Sequence, residues 1–218
     1  MLYSGWKSSC LVVTPIESLR YLQGFAWGDG WIHNKYDRFK VFVYDPEFAR
    51  VVRHLVSQLK SELNLTGWES ERADRLTGTP CWTFEIGRSL AVQNLDLGLL
   101  KSTEGPYFLA GLWDADGGWY TPDESHPYGQ AKIFGGAHTI RVVKRLMKWQ
   151  WSIVTGRISI VTPAGHTSKI GDYTIVTRTN VYGTIVRFRS MATWIDLVGS
   201  KMLLKGRPEV LSRRISGQ

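Results

Sequence analysis

Two aspartates occupy equivalent places in two similar segments of the chain, 87 positions apart. Residues 21–31 read YLQGFAWGDGW and residues 107–119 read YFLAGLWDADGGW. Each segment starts with an aromatic residue, contains small residues four positions apart, and ends in Asp-Gly followed within two residues by Trp. The matched acids are Asp29 and Asp116. Two carboxylates brought together can bind a hard divalent cation such as Mg²⁺, which fills its other positions with water and phosphate oxygens.

Two other interpretations of these acids compete with a metal site. A single Asp-Gly pair after a helix is more often a turn or a helix cap, but the duplication with matched small residues favours a functional pair. A calcium-binding EF-hand loop starting at Asp114 is excluded, because Trp119 and Ser125 occupy the positions that require Gly and Glu. A divalent metal held by two carboxylates suits phosphodiester hydrolysis.

The small residues indicate how the fold positions the acids. Residues 14–17 (Thr-Pro-Ile-Glu) form a capping box with proline at N1, which predicts a helix from here to about Trp27. Small residues spaced by four let two helix backbones pack closely, so we expect the two segments to pack as helices across a pseudo-twofold axis. Each acid then follows the negative end of a helix dipole, where it requires a cation. The small residues are Gly24 and Gly28 in the first segment, and Gly111 and Ala115 in the second.

The same order of elements is predicted after each segment. In the first half we predict strands at 31–36 and 38–44, a helix at 46–63, strands at 68–72 and 82–86, and a closing helix at 89–100. In the second half we predict strands at 119–120 and 130–134, a helix at 139–155, strands at 157–161 and 174–189 (the latter broken by turns), and a closing helix at 191–198. This repeated αββαββα order predicts an α+β fold with antiparallel sheets that helices cover on one face only. The short connection at 98–105 predicts two docked subdomains, residues 1–101 and 102–218.

The two segments resemble a known sequence motif. Residues 109–117 read LAGLWDADG and depart only at Trp113 from the sequence that names the LAGLIDADG homing endonucleases, while residues 22–30 keep four of the nine letters, including Asp29. The chain is similar to the single-chain, two-motif type of this family over nearly its whole length. The resemblance implies site-specific cleavage of double-stranded DNA, with the motif helices packed at the domain interface and two sheets forming a saddle over the duplex.

The resemblance also implies roles for residues around the motifs. Asp29 and Asp116 would each serve one DNA strand and together hold about two or three Mg²⁺ ions, with the carbonyls of Gly28 and Ala115 as further metal ligands. Mn²⁺ would substitute for Mg²⁺, whereas Ca²⁺ would bind without supporting cleavage. Asp45, at the end of the second predicted strand, stands where the family more usually has Gln.

Basic residues after the closing helices are further catalytic candidates. The family position matches Lys101 in the first half and Lys205 in the second, with Lys201 as an alternative to Lys205. From the residues alone, Lys101 is equally well a partner for a helix C-terminus, and Lys205 a phosphate clamp.

The charge of the chain favours a polyanionic partner. Lys and Arg number 27 against 19 Asp and Glu, a formal charge of +8, although a merely soluble basic protein has the same balance. In the strand at 38–44, apolar residues alternate with charged and aromatic ones, so one face packs and the other is expected to face DNA. For each residue alone, a solvated strand face is equally plausible. The predicted DNA-binding residues are Lys35, Arg38, Lys40, Phe42, Tyr44, Arg72, Arg75, Arg88, Lys132, Arg157, Lys169, Arg178, Arg187, Arg189, Lys201 and Arg207.

Several other classes of protein are excluded or disfavoured. The chain has 218 residues, 43% of them hydrophobic, so it can bury a substantial core, while two cysteines and five histidines without zinc-type spacing predict neither a disulfide scaffold nor a zinc site. No signal peptide or membrane span is predicted, which favours a cytoplasmic prokaryotic or organelle-encoded protein that is not secreted. The terminal residues lack intein signals, so a free-standing monomeric enzyme is expected.

Three functions remain in competition. The leading hypothesis is an Mg²⁺-dependent homing endonuclease, intron-encoded, that recognises a long asymmetric double-stranded DNA site and hydrolyses one phosphodiester on each strand. The alternatives are an RNA-binding intron maturase on the same fold and a non-catalytic DNA-binding regulator. The presence of both Asp29 and Asp116 favours the nuclease over both alternatives.

Overall fold

The computed structural model describes residues 13–33, 38–74, 77–87, 103–120, 129–170 and 173–205. The described part of the first half contains α1 (Pro15–Asp29), β1 (Gly30–His33), β2 (Arg38–Val43), α2 (Pro46–Glu62), β3 (Thr66–Ala73) and β4 (Pro80–Gly87). The second half contains α3 (Gly105–Asp116), β5 (Gly117–Tyr120), β6 (Gln130–Gly135), α4 (Ala137–Trp151), β7 (Ser159–Thr162), β8 (Thr167–Ile170), β9 (Tyr173–Val176), β10 (Val181–Ile185) and α5 (Met191–Leu197). The helix predicted at 89–100 and the subdomain boundary at 101/102 lie outside the described residues.

The strands form two four-stranded antiparallel sheets and one hairpin. The first sheet has the order β1-β2-β4-β3 and the second the order β5-β6-β10-β7, while β8 pairs with β9. Helices α1 and α2 pack on the first sheet, and α3 and α4 on the second. The predicted α+β class with antiparallel sheets is therefore confirmed, whereas the pseudo-twofold axis stays a prediction.

The core lies between the helices and one face of each sheet. In β2, Phe39, Val41 and Val43 are buried, whereas the residues between them are more exposed. The period-2 alternation of the strand thus matches the burial that the sequence predicts. No helix in the described part of the chain is long and apolar enough to cross a membrane.

Two helix starts follow from local chemistry. At α1 the predicted capping box is confirmed: the Glu17 amide donates to Thr14 Oγ1 at 3.4 Å, and the Thr14 amide donates to Glu17 Oε2 at 2.8 Å. At α2, Asp45 is the N-cap, and its Oδ1 accepts a hydrogen bond from the Phe48 amide at 2.6 Å. The structure therefore gives Asp45 a helix-capping role.

Several sequence predictions about element boundaries are wrong. The helix predicted at 139–155 is α4, which ends at Trp151 because Ser152 takes a left-handed conformation. α1 continues past Trp27 to Asp29, and α3 likewise ends at Asp116, so each acid belongs to the last helical turn instead of following the helix. The glycine after each acid takes an extended conformation and starts a strand directly. The broken strand predicted at 174–189 is two strands in different sheets. β9 pairs with β8, and the Thr177 amide continues this pairing by donating to the His166 carbonyl, whereas β10 belongs to the second sheet.

Candidate functional site

Helices α1 and α3 pack against each other through their backbones. A β-carbon placed on Gly24 would lie 1.9 Å from the Phe108 carbonyl oxygen, and one on Gly111 would lie 1.9 Å from the Tyr21 carbonyl oxygen. No side chain larger than hydrogen fits at such distances, so both positions require glycine. Residues further along α1 contact residues further along α3: Gly24 lies against Phe108, and Gly28 lies against Ala115. The two helices therefore run in the same direction.

This packing brings the C-terminal ends of the two helices, and their last residues, side by side. A β-carbon on Gly28 would lie 2.6 Å from the Ala115 β-carbon and 3.1 Å from the Asp116 Cγ. Asp29 immediately follows Gly28, so the two carboxylates are neighbours at one end of the helix pair. Because β1 begins at the residue after Asp29 and β5 at the residue after Asp116, the pair also lies where both sheets start.

The electrostatics of this pair are unfavourable in the absence of a cation. Asp29 is exposed and Asp116 half-buried. Burial, and secondarily the charge of Asp29, raise the pKa of Asp116 to about 6, and Lys205 only partly opposes them. Both helix dipoles also present their negative ends here. A divalent cation would relieve this repulsion, so the donor set fits Mg²⁺.

The remaining metal ligands are not supplied by further acids from the described residues. Within that part of the chain, no group of three or more His, Cys, Asp or Glu side chains lies close enough to hold a metal ion. Mg²⁺ commonly takes one or two carboxylates and completes its octahedron with water or phosphate oxygens. A metal ion held by these two acids would keep open coordination positions, which is compatible with binding a phosphodiester substrate.

Lys205 lies directly beside the acids. Its Nζ donates to the carbonyl oxygens of Gly117 at 2.6 Å, Ala115 at 2.8 Å and Trp113 at 3.4 Å. These carbonyls belong to the last turn of α3 and the start of β5, so the ammonium group also neutralises the negative end of the helix dipole. Burial lowers the pKa of Lys205, while the nearby aspartates raise it.

The structure separates Lys205 from its alternative, Lys201. The Lys201 ammonium lies 5.3 Å from the centre of the Tyr107 ring, and its pKa is lowered by burial and raised by the charge of Glu17. Tyr107 and Glu17 belong to the first turns of α3 and α1, so Lys201 lies at the opposite end of the helix pair from the acids. Lys101, the candidate from the first half, lies outside the described residues.

The two predicted carbonyl ligands have different surroundings. The Ala115 carbonyl already accepts the Lys205 ammonium at 2.8 Å, which leaves one lone pair for another partner. Gly28 lies on the shared face of the helices, where it contacts Ala115 and Asp116.

The open face of the first sheet carries aromatic and charged side chains in cross-strand rows. Glu85 lies between two cations: its Oε1 accepts from Arg38 Nη1 at 3.0 Å, and its Oε2 pairs with Lys40 Nζ at 2.8 Å. The Lys40 ammonium also lies 5.2 Å from the Trp31 ring, and the Arg38 guanidinium 5.0 Å from the Trp68 ring. Hydrogen bonding to Lys40 lowers the pKa of Glu85, so this acid remains ionised.

The open face of the second sheet forms a groove of about 580 Å³. Its walls combine basic and apolar side chains, namely Lys132, Phe134, Arg157, Val161, Arg187 and Phe188. The strand register explains this grouping, because Lys132 of β6 pairs with Ile185 of β10, and β10 pairs with β7 on its other side. Basic groups and exposed apolar surface together suit a nucleic-acid partner.

The other predicted DNA-binding residues are distributed unevenly. Phe42 and Arg72 lie on the open face of the first sheet, and Tyr44, just after β2, donates its hydroxyl to Asp74 Oδ2 at 3.4 Å. Lys169 lies in β8, Arg178 between β9 and β10, and Arg189 in the short 3-10 helix before α5. Lys35, Arg75, Arg88 and Arg207 lie outside the described residues.

Sequence reasoning missed the role of Asp114. This residue is buried, and its carboxylate accepts hydrogen bonds from Tyr21 and from the amides of Leu203, Leu204 and Lys205. Burial raises the pKa of Asp114, while these hydrogen bonds lower it. The only signal in the sequence is the contrast with the first segment, which has Trp27 at the matching place.

Comparisons with known proteins give matches in structure alone. No protein-family profile and no curated protein matches the sequence. Full-length DUF199/WhiA from Thermatoga maritima superposes with a TM-score of 0.52 at 12% identity, over 93% of this chain and 61% of that one. The N-terminal LAGLIDADG domain of DUF199/WhiA gives 0.51 at 10% identity, over 94% and 90%. The homing endonuclease I-WcaI bound to its DNA recognition sequence gives 0.51 at 11% identity, over 89% and 86%.

The chain has a LAGLIDADG fold. The fold expected from residues 22–30 and 109–117 is thereby confirmed. The chain spans 61% of the length of the full-length WhiA protein, but 90% of its LAGLIDADG domain and 86% of the homing endonuclease. Identities of 10–12% establish a shared fold and leave activity to be argued from the residues of the site.

Proposed function

We propose that this protein is a divalent-metal-dependent, site-specific DNA endonuclease. The observation that carries the proposal is the adjacency of Asp29 and Asp116 at the C-terminal ends of two helices in backbone contact. Neither acid is needed for this packing, which depends on Gly24 and Gly111, and placing two anions there is electrostatically costly. A metal-binding role explains why both positions carry acids. The structural similarity to a DNA-bound homing endonuclease also supports the proposed endonuclease function.

The residues of the site have distinct roles in this proposal. Asp29 and Asp116 hold Mg²⁺, with the carbonyls of Gly28 and Ala115 nearby, and Mn²⁺ substitutes while Ca²⁺ binds without supporting cleavage. The bound metal supplies an acidified water and neutralises charge on the scissile phosphate. The Lys205 ammonium, fixed next to Asp116, stabilises negative charge that develops on phosphate oxygens.

The open faces of the two sheets bind the duplex. Arg157 and Arg187 in the groove of the second sheet contact phosphates, and side chains on the central strands reach the base edges of the major groove. The two faces differ, because the first carries Glu85 between two cations whereas the groove of the second is lined by basic, apolar and neutral polar residues. Two different faces read two different half-sites, so the DNA target is asymmetric and one monomer suffices.

The test is cleavage of DNA by the purified chain in the presence of Mg²⁺. Genomic and plasmid DNA that contains the uninterrupted host gene should be cut at one site, with the ends mapped by sequencing. Asp29→Asn and Asp116→Asn should each reduce cleavage by about 1,000-fold or more while DNA binding is retained, because each removes charge from the metal site. The control is Asp196→Asn, an exposed acid of α5, which should cleave normally.

Two outcomes would overturn the proposal. Tight, specific DNA binding without any cleavage in Mg²⁺ or Mn²⁺ would identify a DNA-binding regulator instead. Binding to intron RNA that stimulates splicing, with no DNA cleavage, would identify a maturase.

A further inference from the structure

Asp114 is a buried acid next to the proposed metal site that the proposed chemistry does not use. Its side chain is 1% exposed, and its Oδ2 accepts hydrogen bonds from Tyr21 Oη at 2.6 Å, Leu203 N at 2.6 Å and Leu204 N at 3.0 Å. Its Oδ1 accepts one from Lys205 N at 2.9 Å. Burying a carboxylate is unfavourable unless donors replace the lost water, and here four donors do so.

Three of these four donors are consecutive backbone amides. Residues 203–205 follow the 3-10 turn at Gly199–Lys201 and belong to no helix or strand, so no ladder of backbone hydrogen bonds holds them. Three successive N–H groups directed at one anion form a concave binding site for negative charge. Here the carboxylate of Asp114 occupies this anion site and so helps to hold residues 203–205, which belong to no helix or strand.

The same segment carries the lysine of the site. The backbone of Lys205 is held by Asp114, while its ammonium donates to the carbonyls of Ala115 and Gly117, the two residues that flank Asp116. Lys205 is therefore held both at its backbone amide and at its ammonium group. These contacts offset the conformational entropy that a side chain with four rotatable bonds loses when it is ordered. Without Asp114, the backbone of this lysine would lose its hydrogen bond, leaving the ammonium contacts and the packing of the neighbouring apolar side chains, such as buried Leu203, to hold it.

The anchor is specific to the second motif. In the first motif the matching residue is Trp27, and its Nε1 donates to Thr139 Oγ1 at 3.1 Å. Close helix packing through Gly24 and Gly111 therefore does not require an acid at this place, because the first motif has Trp27 there. The role of Asp114 must lie in what it binds, the segment at 203–205.

We propose that Asp114 is a positioning residue that holds Lys205 beside Asp116 by anchoring residues 203–205. This proposal rests on the proposed endonuclease function for its catalytic consequence, although the anchoring itself does not depend on any activity. Tyr21 of α1 contributes the fourth hydrogen bond, so the same carboxylate also ties α1 to the segment.

The experiment combines Asp114→Asn, Lys205→Ala and the double variant. The amide is nearly isosteric, but its nitrogen cannot accept a hydrogen bond from a backbone N–H, so one side of the anchor is lost. Hydrogen exchange of the amides at 203–205 should accelerate by about tenfold or more, and single-turnover cleavage should fall by about 10- to 100-fold, as for other residues that orient a site. DNA affinity in Ca²⁺ should change by less than about threefold.

The double variant separates positioning from general damage. If Asp114 acts through Lys205, then Asp114→Asn should not slow cleavage further in a Lys205→Ala background. A full, multiplicative loss in the double variant would overturn the proposal, and so would unchanged exchange at 203–205. Asp196→Asn is the matched control and should affect neither measurement.

A milder variant keeps the test valid if Asp114→Asn does not fold. Tyr21→Phe retains the ring and removes one of the four hydrogen bonds, so exchange at 203–205 should accelerate by about two- to fivefold. Unchanged exchange in this variant would also contradict the anchor. Failure of the wild type to cleave DNA would overturn the proposed function alone. Hydrogen exchange at 203–205 tests the anchoring whether or not the protein cleaves DNA.

Discussion

Gly24 and Phe108 face each other so closely that a β-carbon on Gly24 would lie 1.9 Å from the Phe108 carbonyl oxygen. This contact, with its counterpart at Gly111, fixes the register of α1 against α3. A slip by one helical turn would move the helices by about 5.4 Å and separate Asp29 from Asp116. The register of the backbones therefore sets the geometry of the acid pair.

Replacing Gly24 or Gly111 by Ala should strongly destabilise the protein. The added methyl group would overlap a backbone carbonyl, and the helices would have to move apart, at a cost of about 3 kcal/mol or more in free energy of unfolding. Urea denaturation followed by circular dichroism measures this loss. Gly136→Ala is the control: beyond its chain neighbours, no heavy atom lies within 4 Å of the added β-carbon, so only the loss of a glycine N-cap, about 1 kcal/mol, is expected. Equal stabilities for the three variants would contradict the close packing.

The metal-free protein should lose stability as the pH rises through about 4 to 6. The pKa of Asp116 in the folded protein is about 6, against an ordinary value of 3.8, so between these values the folded state binds more protons than the unfolded state. The stabilisation present below pH 4 disappears above pH 6, by about 2 kcal/mol after allowance for the partial solvation of the carboxylate.

Thermal unfolding between pH 4 and 7, in a chelator and then in Mg²⁺, tests this linkage. Mg²⁺ should restore stability at the upper end of the range, since a ligand that binds only the folded state stabilises it. Asp116→Asn should flatten the pH dependence and remove most of the Mg²⁺ effect. A pH dependence in Asp116→Asn equal to that of the wild type would assign the linkage to another group.

Removing Arg157 should weaken DNA binding through the loss of a phosphate contact. Arg157 is exposed in the groove of the second sheet, so Arg157→Ala should reduce the slope of log affinity against log salt by about one unit. Fluorescence anisotropy at several salt concentrations in Ca²⁺ measures the slope. Lys148→Ala, on the exposed side of α4 and away from the groove, should leave it unchanged. Equal slopes for all three proteins would remove Arg157 from the interface.

Replacing Glu85 should strengthen DNA binding. Glu85 pairs with both Arg38 and Lys40 on the open face and repels phosphate, so Glu85→Gln should free two cations and raise affinity by about three- to tenfold at low salt. The matched control is Glu69→Gln on β3, because Glu69 pairs with Arg53 of α2 on the helix-covered side of the same sheet. Weaker binding of Glu85→Gln would indicate that Glu85 itself contacts a base.

The sequence predicted the parts of the fold that depend on local patterns. Alternating burial in β2, the capping box at residues 14–17 and the small residues of the motif helices each leave a signal within a few positions. The acids were expected to follow the motif helices, but each is the last helical residue, and only the glycine after it leaves the helix, in an extended conformation. The β8–β9 hairpin was missed, since its closing backbone bonds have no periodic signature.

The candidate site was only partly predictable. Asp29 and Asp116 were identified because their segments are similar, and Lys205 by its place after the closing helix. The anchor could not be derived, because Asp114 and Lys205 lie 91 positions apart and bind through backbone amides, which every residue has. The pairing of Glu85 with Arg38 and Lys40 likewise required the strand register.

The order in which the chain is synthesised determines when the anchor at Asp114 can form. Both aspartates are already translated at residue 116, whereas the lysine beside them is encoded 89 codons later. A nascent or prematurely terminated polypeptide that stops before residue 203 lacks this lysine and leaves the buried carboxylate without three of its four donors. The acid pair and the lysine can therefore come together only after residues 203–205 have been synthesised, which delays assembly of the proposed site.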